Sequence, residues 1–378
     1  MKKILLLTAT AFMAVSCSDQ PGYEIKGTVN DPDLEGKYVY LEEYGLGSNG
    51  VHAGNRLDSA LVQNGKFTFT GVQEKPALRT IRFDDFVVAP ARMPGGQNMP
   101  HTSTFILENG KLNVILDELQ SHAKGTAEND AYAALQAQIL NLRKQQSDLT
   151  GLLQSEDPAT AQQAEDRYEG IEADITTLVK DYILKNTDKQ TAGKLLYEFR
   201  YNLSEEERKE IIDKADATFV AVPGVQQVID HLNILQKVAI GKAFTDFEMA
   251  DTKGQTHALS EYVGNGKIVL VDFWASWCPP CRRDMPMLVE AYKKYKGKGF
   301  EIVGVSLDSN QAAWEKGIKD LNITWPQLSD LKGWKNEAAA MYGVNSIPHT
   351  LLIDQDGQII DKYIHGADLD ARLSALLD

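Results

Sequence analysis

The chain has 378 residues, too many for one ordinary domain, and its 43% apolar and 24% charged residues are the balance of globular protein rather than of a disordered chain. A formal net charge of −14 argues against nucleic acid as a partner, because a polyanion would be repelled. There are only three cysteines: Cys17 near the N-terminus, and Cys278 and Cys281 close together.

The first residues read as an export signal. Lys2 and Lys3 give a positive start, residues 4–15 give a short apolar run, and small residues precede Cys17. That run is too short for an ordinary membrane span. Ala14-Val15-Ser16-Cys17 resembles a lipobox, with Ala14 where Leu is usual, and the polar stretch Ser18-Asp19-Gln20-Pro21-Gly22 suits a tether. The expectation is a lipoprotein signal peptide over 1–16, lipid on Cys17 and a tether over 17–22. The protein would then be held to a membrane on the periplasmic side of the cell envelope. A plain secretory signal with an incidental cysteine is the alternative.

Residues 23–120 read as β structure. Tyr23-Glu24-Ile25-Lys26-Gly27-Thr28-Val29 and Lys37-Tyr38-Val39-Tyr40-Leu41-Glu42 alternate, and further runs fall at 59–62, 66–70, 78–83, 104–107 and 112–116. Asn64-Gly65 and Asn109-Gly110 stand between such runs and predict hairpins. Many short strands with turns between them predict a small antiparallel sandwich or barrel, with residues 90–100 as an exposed loop.

Residues 121–237 change period. Tyr132, Leu135, Ile139 and Leu140, then Ile171, Ile175, Leu178, Tyr182 and Ile183, recur at helical spacing on either side of Asp157-Pro158. A helical hairpin is predicted, followed by shorter helices at 194–199, 205–214 and 224–237. This part holds no cysteine and no metal-ligand cluster, so it reads as a spacer or a partner surface.

Residues 238–378 alternate strand and helix, which predicts an α/β domain with a mixed central sheet. Residues 268–274 are apolar but for one Asp, as expected of a strand buried on both faces. Helices are predicted at 279–295, 312–321, 336–342 and 369–377, and a further strand at 300–307. Residues 349–353 and 358–363 form an antiparallel pair turned through Asp356-Gly357.

Trp277-Cys278-Pro279-Pro280-Cys281 falls where the buried strand ends and a helix begins. Two residues between cysteines in a first helical turn bring the sulfurs within bonding distance. The first thiol then meets unpaired N–H groups and the positive end of the helix dipole, which favour a thiolate. The second lies deeper and can resolve a mixed disulfide. A zinc site needs four ligands, and no second cysteine pair exists. A purely structural disulfide would constrain the unfolded chain very little across so short a loop. Redox exchange is the reading that remains. Pro279 and Pro280 lack N–H groups, which withholds donors from the thiolate and predicts moderate acidity for Cys278. No cofactor or metal is expected.

These residues carry a resemblance. Val269-Leu270-Val271-Asp272-Phe273-Trp274-Ala275-Ser276-Trp277-Cys278-Pro279-Pro280-Cys281 is similar to the active-site segment of the thioredoxin superfamily, and its Pro-Pro pair resembles the TlpA/ResA-like membrane-associated branch. Pro286 stands where thioredoxins kink this helix, and Tyr342-Gly343-Val344-Asn345-Ser346-Ile347-Pro348 resembles the segment with the family's cis-proline. The resemblance covers roughly the last third of the chain. It implies a proton-transfer role for Asp272, whose carboxyl burial would raise in pKa, and substrate contacts from Trp277, Ile347 and Pro348. It also implies exported thiol- or disulfide-containing proteins as substrates, and a membrane thiol reductase as electron donor. The N-terminal β part resembles the domain of uncharacterised role that precedes such domains in envelope lipoproteins. Arg282, Arg283 and His349 are read as ordinary surface or packing residues.

The leading expectation is therefore a thiol–disulfide oxidoreductase acting as a reductant. A peroxiredoxin-like peroxidase would carry Pro and Thr or Ser where Val271 and Ala275 stand before Cys278. A third reading makes the β domain a surface binding module and the cysteine domain its accessory.

Overall fold

The structure, a computed structural model, describes residues 22–47, 54–85, 91–93, 96–98 and 100–378. The expected signal peptide, Cys17 and the tether as far as Pro21 lie outside the described residues. The chain divides into two compact units, Met1–Val228 and Ile229–Asp378.

In the first unit, alternation of apolar and polar residues produces the strands β1 (Tyr23–Val29), β2 (Tyr38–Glu43), β3 (Arg56–Leu61), β4 (Lys66–Gly71) and β5 (Ala77–Phe83). They are followed by β6 (Ala91–Met93), β7 (Gly96–Asn98), β8 (Ser103–Leu107), β9 (Gly110–Leu116) and β10 (His122–Lys124). Two four-stranded sheets form, in the orders β10-β9-β1-β4 and β3-β2-β5-β8. Ile25, Phe67, Phe69 and Val114 from one sheet share a core with Val39, Leu41, Ile81 and Phe105 from the other. This is a β sandwich. One pairing departs from the antiparallel pattern: β1 runs parallel to β9.

Both Asn-Gly pairs turn the chain, but neither joins neighbours in one sheet. Asn64 and Gly65 take left-handed φ values of 55° and 67°, and Gln63 and Lys66 exchange both backbone hydrogen bonds across them. The flanking β3 and β4 nevertheless belong to different sheets. Asn109-Gly110 likewise carries the chain from β8 in one sheet to β9 in the other. A local turn signal does not report which face the next strand must cover, and the shared core decides that. Within 90–100, expected as a loop, β6 and β7 form a short antiparallel ladder.

The helices are α1 (Ala127–Leu149), α2 (Pro158–Lys185), α3 (Gln190–Glu198), α4 (Glu205–Lys214), α5 (Ala217–Val220) and α6 (Val225–Lys237), within which the division between the units falls. The helical hairpin of α1 and α2 restarts at Asp157, whose carboxylate accepts from the Ala159 and Thr160 amides, with Pro158 at the first helical position. Helices and sandwich cluster together because side-chain amides bind the strands. Asn129 on α1 bonds both backbone groups of Ile106, and Gln190 on α3 bonds the Leu78 N–H and the Pro76 carbonyl.

The sandwich also buries a charge. Glu42 is 2% exposed and accepts from Arg56 Nε at 3.2 Å and Arg82 Nε at 2.9 Å. Removing the carboxylate takes one partner from each arginine, leaving Arg82 with Asp85 and Arg56 with Asp84, so Glu42→Ala is expected to cost about 2 kcal/mol, read from urea unfolding followed by circular dichroism.

The second unit contains β11 (Glu248–Ala250), β12 (Thr256–Ala258), β13 (Ile268–Trp274), α7 (Pro279–Tyr295), β14 (Phe300–Ser306), α8 (Gln311–Asp320) and β15 (Gln327–Leu328). After these come α9 (Glu337–Met341), β16 (His349–Ile353), β17 (Ile359–Lys362) and α10 (Gly366–Leu377). The five-stranded sheet has the order β15-β14-β13-β16-β17. It is parallel from β13 through β14 to β15 and antiparallel from β13 through β16 to β17. All seven residues of β13 and of β14 are buried, as strands covered on both faces must be. The central strand β13 therefore aims its C-terminal end at the start of α7.

Candidate redox site

Cys278 caps the N-terminus of α7 with extended backbone, φ −88° and ψ 107°, and Pro279 opens the helix. The prolines withhold two amides, so the Cys281 N–H is left to reach the sulfur, and it donates to Cys278 Sγ at 3.2 Å. Cys278 and Cys281 are joined in a disulfide with Cα atoms 5.4 Å apart. Both are buried, Cys278 at 3% exposed and Cys281 at 1%. Pro286 lies inside α7.

The chain returns to the sulfurs at the start of β16. The Ile347–Pro348 peptide is cis, and the Ile347 carbonyl oxygen lies 3.7 Å from Cys278 Sγ. In the dithiol form that oxygen can accept from the Cys278 S–H. The Ile347 N–H has no partner among the described residues.

Asp272 sits on β13 opposite Gly304 of β14 and Thr350 of β16. It is 2% exposed, and its Oδ2 has no partner among the described residues. Burial pushes its carboxyl up to about 7, and the Asp284 carboxylate adds to the rise. Asp284 itself faces His365, Oδ2 to Nδ1 at 3.3 Å.

Trp277 is not a core residue. It is 50% exposed and leans on Trp334, which is 55% exposed, with ring centroids 6.1 Å apart. Arg282 and Arg283 are both exposed, as expected of a solvated helix face, and Arg282 also donates to the Ser276 carbonyl at 3.3 Å. His349 is buried against the rings of Phe273 and Tyr363. Burial, with Lys362 and His365 nearby, pushes it down to about 3, so it is a neutral packing residue at ordinary pH. Among the described residues no three His, Cys, Asp or Glu side chains group as a metal site.

Sequence reading missed the carboxylate that fixes the approach to Cys278. Asp308 is 1% exposed; its Oδ1 accepts from Ser276 Oγ at 2.6 Å, and its Oδ2 accepts from the Ser276 N–H at 2.9 Å and Ser306 Oγ at 2.8 Å. Ser276 is thus held at its amide, hydroxyl and carbonyl, and Cys278 N–H closes the turn on the Ala275 carbonyl at 3.1 Å. A signal was available: Asp308 follows the C-terminal end of a parallel strand next to the central one, where α/β sheets place functional groups. Trp334 gave no comparable signal, because it sits in a three-residue 3-10 turn, Gly333–Lys335, too short to show a period.

A dithiol that closes at a helix start beneath a cis-proline loop, on this sheet order, defines a thioredoxin-fold domain of the exchange type. Comparison with known proteins agrees. The AhpC/TSA family matches residues 240–362, and a domain of unknown function (DUF4369) matches residues 23–132. Thiol-disulfide oxidoreductase ResA of Geobacillus kaustophilus is 35% identical over 142 residues, spanning 37% of this chain and 79% of the relative. ResA of Bacillus cereus is 36% identical over 129 residues, spanning 34% of this chain and 72% of the relative. The thioredoxin domain of a Bacteroides vulgatus thiol-disulfide oxidoreductase is 33% identical, covering 37% of this chain and 99% of that one, with a TM-score of 0.35. The chain belongs to the ResA family of thiol-disulfide oxidoreductases.

Proposed function

We propose that this oxidoreductase works as a reductant of disulfides in exported proteins. The observation that carries the reading is the Cys278–Cys281 pair at the start of α7 with Asp272 buried on the preceding strand. In the reduced protein the Cys278 thiolate attacks one sulfur of a substrate disulfide, forms a mixed disulfide and releases the first substrate thiolate. Cys281 then gives its proton to the Asp272 carboxylate and attacks Cys278 Sγ. The second substrate thiolate leaves, taking up a proton, and the Cys278–Cys281 disulfide is restored. The substrate has gained two electrons and the enzyme has lost them. A carboxyl with a pKa near 7 can both accept and return a proton at neutral pH, which suits this role. Ile347 and Pro348 supply a backbone edge for an extended substrate segment.

The N-terminal export signal and the lipobox-like segment ending at Cys17 support placement on the periplasmic side of the envelope, lipid-anchored to a membrane. A membrane thiol reductase would then return electrons to the dithiol.

The test is capture. Cys281→Ser leaves the mixed disulfide without its resolving thiol, so exported proteins should accumulate on Cys278 and be released by dithiothreitol. A Cys278→Ser, Cys281→Ser double variant should capture none. Rapid hydrogen peroxide consumption by the unmodified protein, with no captured protein, would favour a peroxidase and overturn the proposal.

A further inference from the structure

We propose that Trp334 is a specificity-determining residue: with Trp277 it forms an apolar shelf beside Cys278 for a large apolar side chain, aromatic above all, next to the attacked cysteine of the substrate. The inference rests on the reading of Cys278 as the attacking thiol. The chain's five tryptophans divide sharply by burial. Trp274, Trp314 and Trp325 are 0%, 1% and 4% exposed, whereas Trp277 and Trp334 are 50% and 55% exposed and side by side. An indole that the core does not need, left half in water against a second one, is a surface suited to a partner.

The turn that presents Trp334 is fixed in advance. Leu331 and Gly333 take left-handed φ values of 56° and 58°, which bends the backbone outward at Trp334. Asp330 holds both ends of the bend: its Oδ1 accepts from the Lys332 N–H at 3.0 Å and from Asn336 Nδ2 at 3.0 Å, and its Oδ2 accepts from the Glu337 N–H at 2.9 Å. Leu331 N–H donates to Ser329 Oγ at 3.1 Å, and Lys332 pairs with Glu337. A shelf held this way loses little freedom when a side chain settles on it.

The occupant follows from continuity with the exchange site. Trp277 precedes Cys278 directly, so a polypeptide joined to Cys278 Sγ must pass over its indole. The unpartnered N–H of Ile347, the residue whose carbonyl oxygen lies 3.7 Å from Cys278 Sγ, offers that polypeptide a backbone bond. A residue adjacent to the substrate cysteine then falls on the Trp277–Trp334 surface. Serine there would gain nothing, and a carboxylate would lose its hydration against two indoles.

The test uses the whole protein, reduced, and three disulfides: a peptide with Phe beside its attacked cysteine, the same peptide with Ser, and bis(2-hydroxyethyl) disulfide. Trp334→Ala should lower kcat/KM for the Phe peptide about 10-fold, chiefly through KM, and leave the other two within about two-fold. Trp334→Phe should recover most of the loss. Equal loss on all three would make the turn a support for the cysteines and overturn the shelf. Unchanged turnover of the Phe peptide would also overturn it, as would a dimer seen by sedimentation that Trp334→Ala dissolves. If the unmodified protein reduces none of the three, the reading of the dithiol as an exchange site fails, and the shelf fails with it.

Discussion

Asp272→Asn is expected to stabilise the oxidised protein at pH 8 while slowing its turnover. The carboxyl is pushed from its ordinary 3.8 up to about 7 in the folded state, first by burial and then by Asp284. Between those values the folded state keeps a proton that the unfolded chain releases. Stability therefore falls as pH rises through this window and levels off above it. A rise of this size corresponds to about 4 kcal/mol at pH 8, through ~1.4 kcal/mol per unit. The amide cannot ionise, so its gain should be near zero at pH 4 and close to full at pH 8. Denaturant midpoints of the oxidised protein at both pH values check the sign. Turnover should fall about 100-fold near neutral pH, because Cys281 loses its proton acceptor during resolution. A variant that is stabilised yet turns over normally would remove Asp272 from the chemistry and leave it as a buried charge alone.

Much of the second unit was legible because its signals are strong and local. A run of apolar residues from Ile268 to Trp274 can only be a strand covered on both faces, and Cys278-Pro279-Pro280-Cys281 directly after it places a thiol at a helix start. Asp272 stood out as the one charge in that run. The partners of these residues were harder to see, because contacts across the sheet link positions far apart in the chain. Ser276 meets Asp308 through a strand pairing, and Trp277 meets Trp334 through a short 3-10 turn. Neither distance appears in any local pattern.

The first unit shows the same limit at the level of topology. Alternation marked nearly every strand, yet Asn64-Gly65 and Asn109-Gly110 looked like links within one sheet and instead pass the chain between two. A turn type reports backbone angles at two residues. Sheet membership depends on where Phe67, Phe69, Leu112 and Val114 find their core, and that core is shared by strands from both ends of the unit. Arg282 lies on the solvated face of α7 that its position suggested, and from there it also reaches back to the Ser276 carbonyl.

That loop yields the other large expected effect. Asp308→Ala removes three hydrogen bonds from one buried carboxylate and leaves the Ser276 amide without its acceptor. Ser276 stands two residues before Cys278, so a small drift of the loop displaces the attacking sulfur from the line of a substrate disulfide. Misplacement of this order costs about 100-fold in kcat/KM, and the loss should be similar for every disulfide because no substrate contact is involved. Asp308→Asn separates position from charge. The amide can still accept from the Ser276 N–H and bond both serine hydroxyls, so turnover should return to within a few-fold. It also removes a buried negative charge near the thiolate, so the pH profile of Cys278 alkylation should move to lower pH in the reduced protein. A merely structural role would move neither that profile nor the Asn rescue. If both variants lose activity only in proportion to lost folded protein, Asp308 supports the fold and does not position Cys278.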